Sequence, residues 1–230
     1  MRSLALSAIA VTCMLATPSH AFDPEDVQTV LDTRSCFPGD GRSLDPCDLV
    51  GADFTGADLV GVYLTFADAT GAIFAGANLA NSYIRFGIVP DTDFTGANLA
   101  EVNFESADLS GADLSDSILT GAWLTSAILQ GATLVGADLS GANLNLADLR
   151  RAVLTGAKLT ETNLTGATFS GADLRGADLK GAVINRTGLT GADLTDADLG
   201  GAVVTATNLN SATLCRTIMP DGAINNTNCP

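Results

Sequence analysis

The sequence predicts a solenoid, a narrow rod wound from short repeated units. Three observations predict it. Residues 47 to 221 divide into fives without a slip. The apolar content is 47% but aromatics are only 5%, so the bulk is alanine and leucine. Phe54, Phe74 and Phe94 recur at intervals of twenty. A core of ordinary thickness needs larger side chains, whereas a small-residue mixture with a fixed short period suits stacked repeats.

The units begin CDLVG ADFTG ADLVG VYLTF ADATG AIFAG ANLAN. Each centre is Leu, Phe, Ile, Val or Met, with Ala69 the small exception. A small residue, usually Ala, stands two positions earlier, with Asp or Asn between them. The last two positions favour Thr or Ser and then Gly. Five matches neither the helical period of 3.6 nor the strand period of 2. The backbone must therefore return to one orientation after every unit.

This pattern resembles the pentapeptide-repeat family, whose motif is A(D/N)LXX, and the resemblance covers about three quarters of the chain. It implies an all-β fold, a right-handed quadrilateral β-helix, four units to the coil, with the central and small residues inward. The phenylalanine interval fits such a coil. Leu114, Leu134, Leu154, Leu174, Leu194 and Leu214 continue that column, and a β-type spacing would give a rod of about 40 Å.

Residues 1–21 read as a signal peptide: Arg2, an apolar run over 4–16 and Ser19-His20-Ala21 as a small-x-small cleavage site. Thr12 before Cys13, and an apolar run that continues past it, favour simple secretion over a lipid anchor. Cleavage would remove the only histidine and take the net charge from −15 to −16 through loss of Arg2. The chain is then expected in the periplasm or outside the cell. The four remaining cysteines suit an oxidising compartment. A rod separates them into two end pairs, so Cys36–Cys47 and Cys215–Cys229 are the expected disulfides.

Residues 22–46 are expected to form an N-terminal cap. Asp23-Pro24-Glu25-Asp26 starts a short helix whose Val27, Val30 and Leu31 cover the first coil. Phe37-Pro38-Gly39-Asp40-Gly41 reads as a loop tied back by the first disulfide. Residues 222–230 form the C-terminal cap after a turn at Met219-Pro220-Asp221-Gly222. Within the solenoid, Pro90 cannot donate a backbone hydrogen bond, and a distorted corner is expected there.

The chemistry expected is binding, not catalysis. Without histidine, and with paired cysteines, nucleophilic triads and His-rich metal sites are excluded, and no cofactor or metal is expected. The outward Asp residues are read as water-solvated alike on a convex rod, which does not suit paired carboxylate catalysis. Strong acidity excludes nucleic acid as a partner, and no membrane span is expected after the leader.

One column departs from the acidic rule: Tyr63, Tyr83, Asn103, Trp123, Asn143, Asn163, Val183 and Val203. The adjoining corner carries Phe66, Phe86 and Leu146, with Arg85 beside it. These residues form the candidate interaction face. The function expected is an exported, non-catalytic binding or structural scaffold that contacts a protein, a glycan or a second copy of itself. The alternative, drawn from the family resemblance, is an acidic mimic of duplex DNA that inhibits a topoisomerase or another DNA-binding protein.

Overall fold

The computed structural model describes residues 23–36 and 47–229. The expected signal peptide and the 37–41 loop lie outside these residues. From Cys47 onward the chain winds in coils of twenty residues, and four columns of parallel bridges join each coil to the next. The columns define four faces, which begin at Asp48, Asp53, Asp58 and Tyr63.

The unit 67–71 shows why five residues suffice. The N–H of Ala67 closes a turn onto the carbonyl of Leu64 at 3.1 Å. That of Asp68 reaches back to Cys47 O in the preceding coil at 2.9 Å, while those of Ala69 and Gly71 reach Ile88 O and Pro90 O in the next. The remaining donor, Thr70 N–H, bonds to its own neighbour, the Asp68 carboxylate, at 3.1 Å. Every N–H in the unit is thus satisfied, as buried or half-buried backbone requires.

This accounting explains two preferences of the repeat. Asp or Asn precedes the central residue because its Oδ1 accepts the N–H two residues on, as at Thr55, Ser110, Thr165 and Thr195. The outward carboxylates are therefore not solvated alike, which corrects the sequence reading. The Thr55 hydroxyl and N–H hold the Asp53 carboxyl below its ordinary pKa, and Arg150 does the same for Asp148. Gly closes the unit because the second turn residue is left-handed. Gly51 has φ +69° and Gly131 +66°, values that only glycine adopts without strain.

Inward residues are buried from Leu49 to Ala202; Val204 and Leu209 are only partly buried, and Leu214 is buried again. Phe54, Phe74 and Phe94 stack in one column, with centroids 4.9 and 5.2 Å apart. Where Ser or Thr replaces the small Ala, its hydroxyl donates to a nearby carbonyl, as Ser82 does to Leu59 and Thr217 to Leu194. Because the chain turns every five residues, each face contributes one bridged residue per coil. Only β1 (Val183–Asn185) and β2 (Val203–Thr205) extend to three, so the β character lies mostly in isolated bridges. Pro90 leaves the register intact, with Ile88 bridged to both Asp68 and Asp108. Its position is the one whose N–H the ladder does not use, so the turn keeps its hydrogen bonds, with Gly71 N–H to Pro90 O and Asp91 N–H to Ser110 O, and the expected distorted corner is absent.

The helix α1 (Pro24–Thr33) starts at Asp23, whose carboxylate accepts Glu25 N–H at 2.8 Å. Val27 and Val30 are buried against the first coil, and Leu31 packs beside them. Asp26 accepts the N–H of Asp48 at 2.8 Å. Residues 34–36 then add one rung above Tyr63: Tyr63 N–H donates to Arg34 O and Cys36 N–H to Tyr63 O. Cys36 is paired with Cys47. At the other end a single 3₁₀ turn (Leu209–Ser211) interrupts the coil. The hairpin of β3 (Thr217–Ile218) and β4 (Ile224–Asn225) then turns the chain antiparallel beneath the last rung. Leu214 N–H bonds to Thr227 O, and Cys215 is paired with Cys229.

Candidate interaction face

Tyr63 and Tyr83 occupy successive rungs of the fourth face, with rings 4.7 Å apart and 3° from parallel. Phe66 and Phe86 form a second stack on the corner between the fourth and first faces, 5.2 Å apart and 11° from parallel. All four remain exposed, between 40% and 53%. Arg85 lies between the stacks. It pairs with Glu105 at 2.9 Å, sits 5.3 Å over the Phe86 ring, and leaves its Nε buried without a partner.

Both stacks depart from what the repeat needs. A tyrosine in place of Asp or Asn offers no carboxylate or amide to the N–H two residues on. A phenylalanine in place of Gly must adopt a positive φ, +64° at Phe66 and +54° at Phe86. Such a conformation costs a bulky side chain about 1–2 kcal/mol. The units 62–66 and 82–86 break both rules at once, as 87–91, 122–126, 157–161, 182–186 and 202–206 also do, but these two alone fill both positions with aromatics.

The structure brings Tyr63, Phe66, Tyr83, Arg85 and Phe86 together, but Trp123 and Leu146 lie further along. Asn103 separates Trp123 from Tyr83 on the fourth face, and Ser106 and Ser126 lie between Phe86 and Leu146 in the corner column. Leu146 also takes a positive φ, +59°, and its side chain covers Gly166 one coil on. Sequence reasoning missed Ile88 and Ile128, exposed by 46% and 38% on the first face beside this corner. Their signal was an isoleucine in the outward Asp position, which was available in the repeat frame.

Ring orientation limits what the patch can hold. The rings stack along the rod, so the two facing sides within each pair are covered. A sugar needs an open aromatic face, whereas a protein groove accepts ring edges. Among the described residues no group of three or more His, Cys, Asp or Glu side chains is arranged to hold a metal ion. No described helix is long and apolar enough to cross a membrane.

The bridged coils and satisfied five-residue units define a β-helical repeat protein. The pentapeptide repeats family matches in eight copies, from residues 47–85 to 187–219, and the chain belongs to it. With membership comes a right-handed β-helix-like fold. Among solved structures, a pentapeptide repeat protein from the Arabidopsis thaliana thylakoid lumen is 35% identical with a TM-score of 0.40. That match covers 40% of this chain and 65% of the other, less than two thirds of its length. HetL, involved in heterocyst differentiation regulation in the cyanobacterium Nostoc sp., is 28% identical over 72% of this chain and 92% of its own, with a TM-score of 0.27. QnrB1, a plasmid-mediated fluoroquinolone resistance protein, is 22% identical over 74% and 77%, with a TM-score of 0.42. None of the curated proteins matches.

Proposed function

We propose that this protein is an exported, non-catalytic scaffold that binds a protein partner through the corner formed by Tyr63, Phe66, Tyr83 and Phe86. One observation carries the reading: two consecutive coils give up both the side-chain cap and the glycine corner at the same place, and fill both positions with exposed aromatics. A left-handed φ at a bulky side chain is a local cost that stacking and half-burial offset only narrowly, and exposed aromatics held at such positions mark a site kept for another reason. Aromatic clusters of this kind anchor protein interfaces. The self-covering of the stacked rings favours a protein over a glycan.

The same reading takes the rod as a quadrilateral β-helix over 47–221, with caps at 22–46 and 222–230. It takes residues 1–21 as a leader removed on export. Four bridge columns per coil support the first part; two cysteine pairs, one at each end, support the second. Mimicry of duplex DNA ranks lower, because an aromatic corner has no counterpart in a phosphate surface.

The test is retention of proteins from the exported fraction of the source organism on immobilised protein. Wild type should retain a defined partner that the Phe66→Asn/Phe86→Asn variant, still folded by circular dichroism, releases. Equal retention by both would refute the reading.

A further inference from the structure

The charge of the rod is sharply divided. In coils 47–126 eleven carboxylates face one cation, Arg85, a balance of −10. In coils 127–206 eight face six, a balance of −2. Four of the six cations of the second half pair locally, Arg150 with Asp148, Lys158 with Asp138, Arg175 with Asp173 and Lys180 with Asp178 and Asp198. In the first half Arg85 is already held by Glu105. The aromatic corner stands wholly within the acidic half.

Its rim follows from the register. Asp48, Asp68 and Asp108 stand in the first-face column beside the corner, and Glu101 on the far edge of the fourth face. None of them joins an ion pair among the described residues, and only Asp48, Asp68 and Asp108 are engaged by the local N–H two residues on. A second copy of this chain would bring −10 against −10 across the contact. At physiological salt, where charges interact over about 8 Å, juxtaposed rims still repel. A neutral apolar surface would strip water from these carboxylates without replacing it.

We infer that the partner is a cationic amphipathic protein segment, with apolar residues for the ring edges and Lys or Arg set to meet Asp48, Asp68, Asp108 and Glu101. This rests on the protein-binding reading of the corner. The corner supplies the contact that resists dissociation, and the acidic half supplies steering and exclusion of acidic competitors.

The probes are three synthetic tryptophan-free helical peptides about 30 Å long, some twenty residues. One has a Leu/Phe face flanked by lysines, the second has the same face flanked by glutamates, and the third keeps the lysines but carries alanine in place of Leu and Phe. Peptide anisotropy reads affinity. Trp123, the only tryptophan and 56% exposed on the fourth face, reads location through its emission. The lysine–apolar peptide should bind about tenfold or more tightly than either other, weaken as salt rises, and shift Trp123 emission to the blue. The Phe66→Asn/Phe86→Asn variant should lose about tenfold of that affinity with its fold retained.

If the glutamate peptide binds as well, and the variant weakens both, the cationic inference fails while the corner stands as a binding surface. If the lysine–apolar peptide binds variant and wild type alike, attraction is merely general and the corner reading fails. No binding of the lysine–apolar peptide overturns both.

Discussion

Replacing Phe66 and Phe86 together by asparagine should barely disturb the fold, whereas replacing Phe74 by alanine should come close to breaking it. At the corner, φ values of +64° and +54° cost the two phenylalanines about 1–2 kcal/mol each. Asparagine tolerates that region and recovers roughly 1 kcal/mol per site. Against this stand one lost stack, about 0.5–1.5 kcal/mol, and the half-burial of two rings, about 1 kcal/mol apiece. The net is a loss of about 1 kcal/mol for the pair. Phe74 is fully buried between Phe54 and Phe94, and its truncation should cost about 3–5 kcal/mol. Urea denaturation followed by far-ultraviolet circular dichroism reads both, and repeat proteins lose stability cooperatively when one coil interface fails. A corner variant as unstable as Phe74→Ala would show that the aromatics hold the rod together, and the argument from a local cost only narrowly offset would collapse.

Other consequences are equally direct. Arg175 lowers the Asp173 carboxyl pKa below 3.8, as Arg150 does for Asp148. Their stabilisation is complete at neutral pH and is lost as pH falls below 3.8 through the folded values. The stability difference between wild type and the Asp148→Asn/Asp173→Asn variant, read by urea denaturation, should therefore be small at pH 7, as for other exposed ion pairs, and shrink progressively as pH falls below 3.8. A difference that grows on acidification would contradict the assignment. Reducing the two disulfides, which close separations of 11 and 14 residues, should cost about 3 kcal/mol each. Hydrogen exchange should then rise first at α1 and at the terminal hairpin; uniform fraying along the rod would be inconsistent with end caps. Gly131→Ala should cost about 1 kcal/mol although a methyl there meets nothing within 4 Å, because its φ is +66°. An unchanged midpoint would mean the turn readjusts.

How much of this was legible in the sequence depended on the period. An unbroken frame of five located the inward column, and the recurrence of Phe54, Phe74 and Phe94 gave the coil length before any coordinates. The cysteine pairs followed from the same frame. The roles of the outward residues were less visible. Asp looked like a solvated charge because its partner is a backbone N–H two residues away, which only the turn geometry reveals. Gly recurring at the fifth position signalled a left-handed turn, yet the cost of Phe66 and Phe86 became apparent only from their φ values. Ile88 and Ile128 were overlooked because a lone isoleucine in the outward column resembles ordinary variation until it is set beside the aromatic corner. Trp123 and Leu146, read from sequence as part of one patch, fall beyond a polar gap that the same twenty-residue columns spell out as Asn103, Ser106 and Ser126.

The central claim is that the corner between the fourth and first faces meets a partner protein. Photo-crosslinking in living source cells tests it most directly. A photoreactive residue is placed in turn at Phe86 and, half a coil away on the opposite corner, at exposed Thr95. One discrete adduct from position 86 and none from position 95 is the predicted result. Adducts of equal yield from both positions, or from neither, would contradict it.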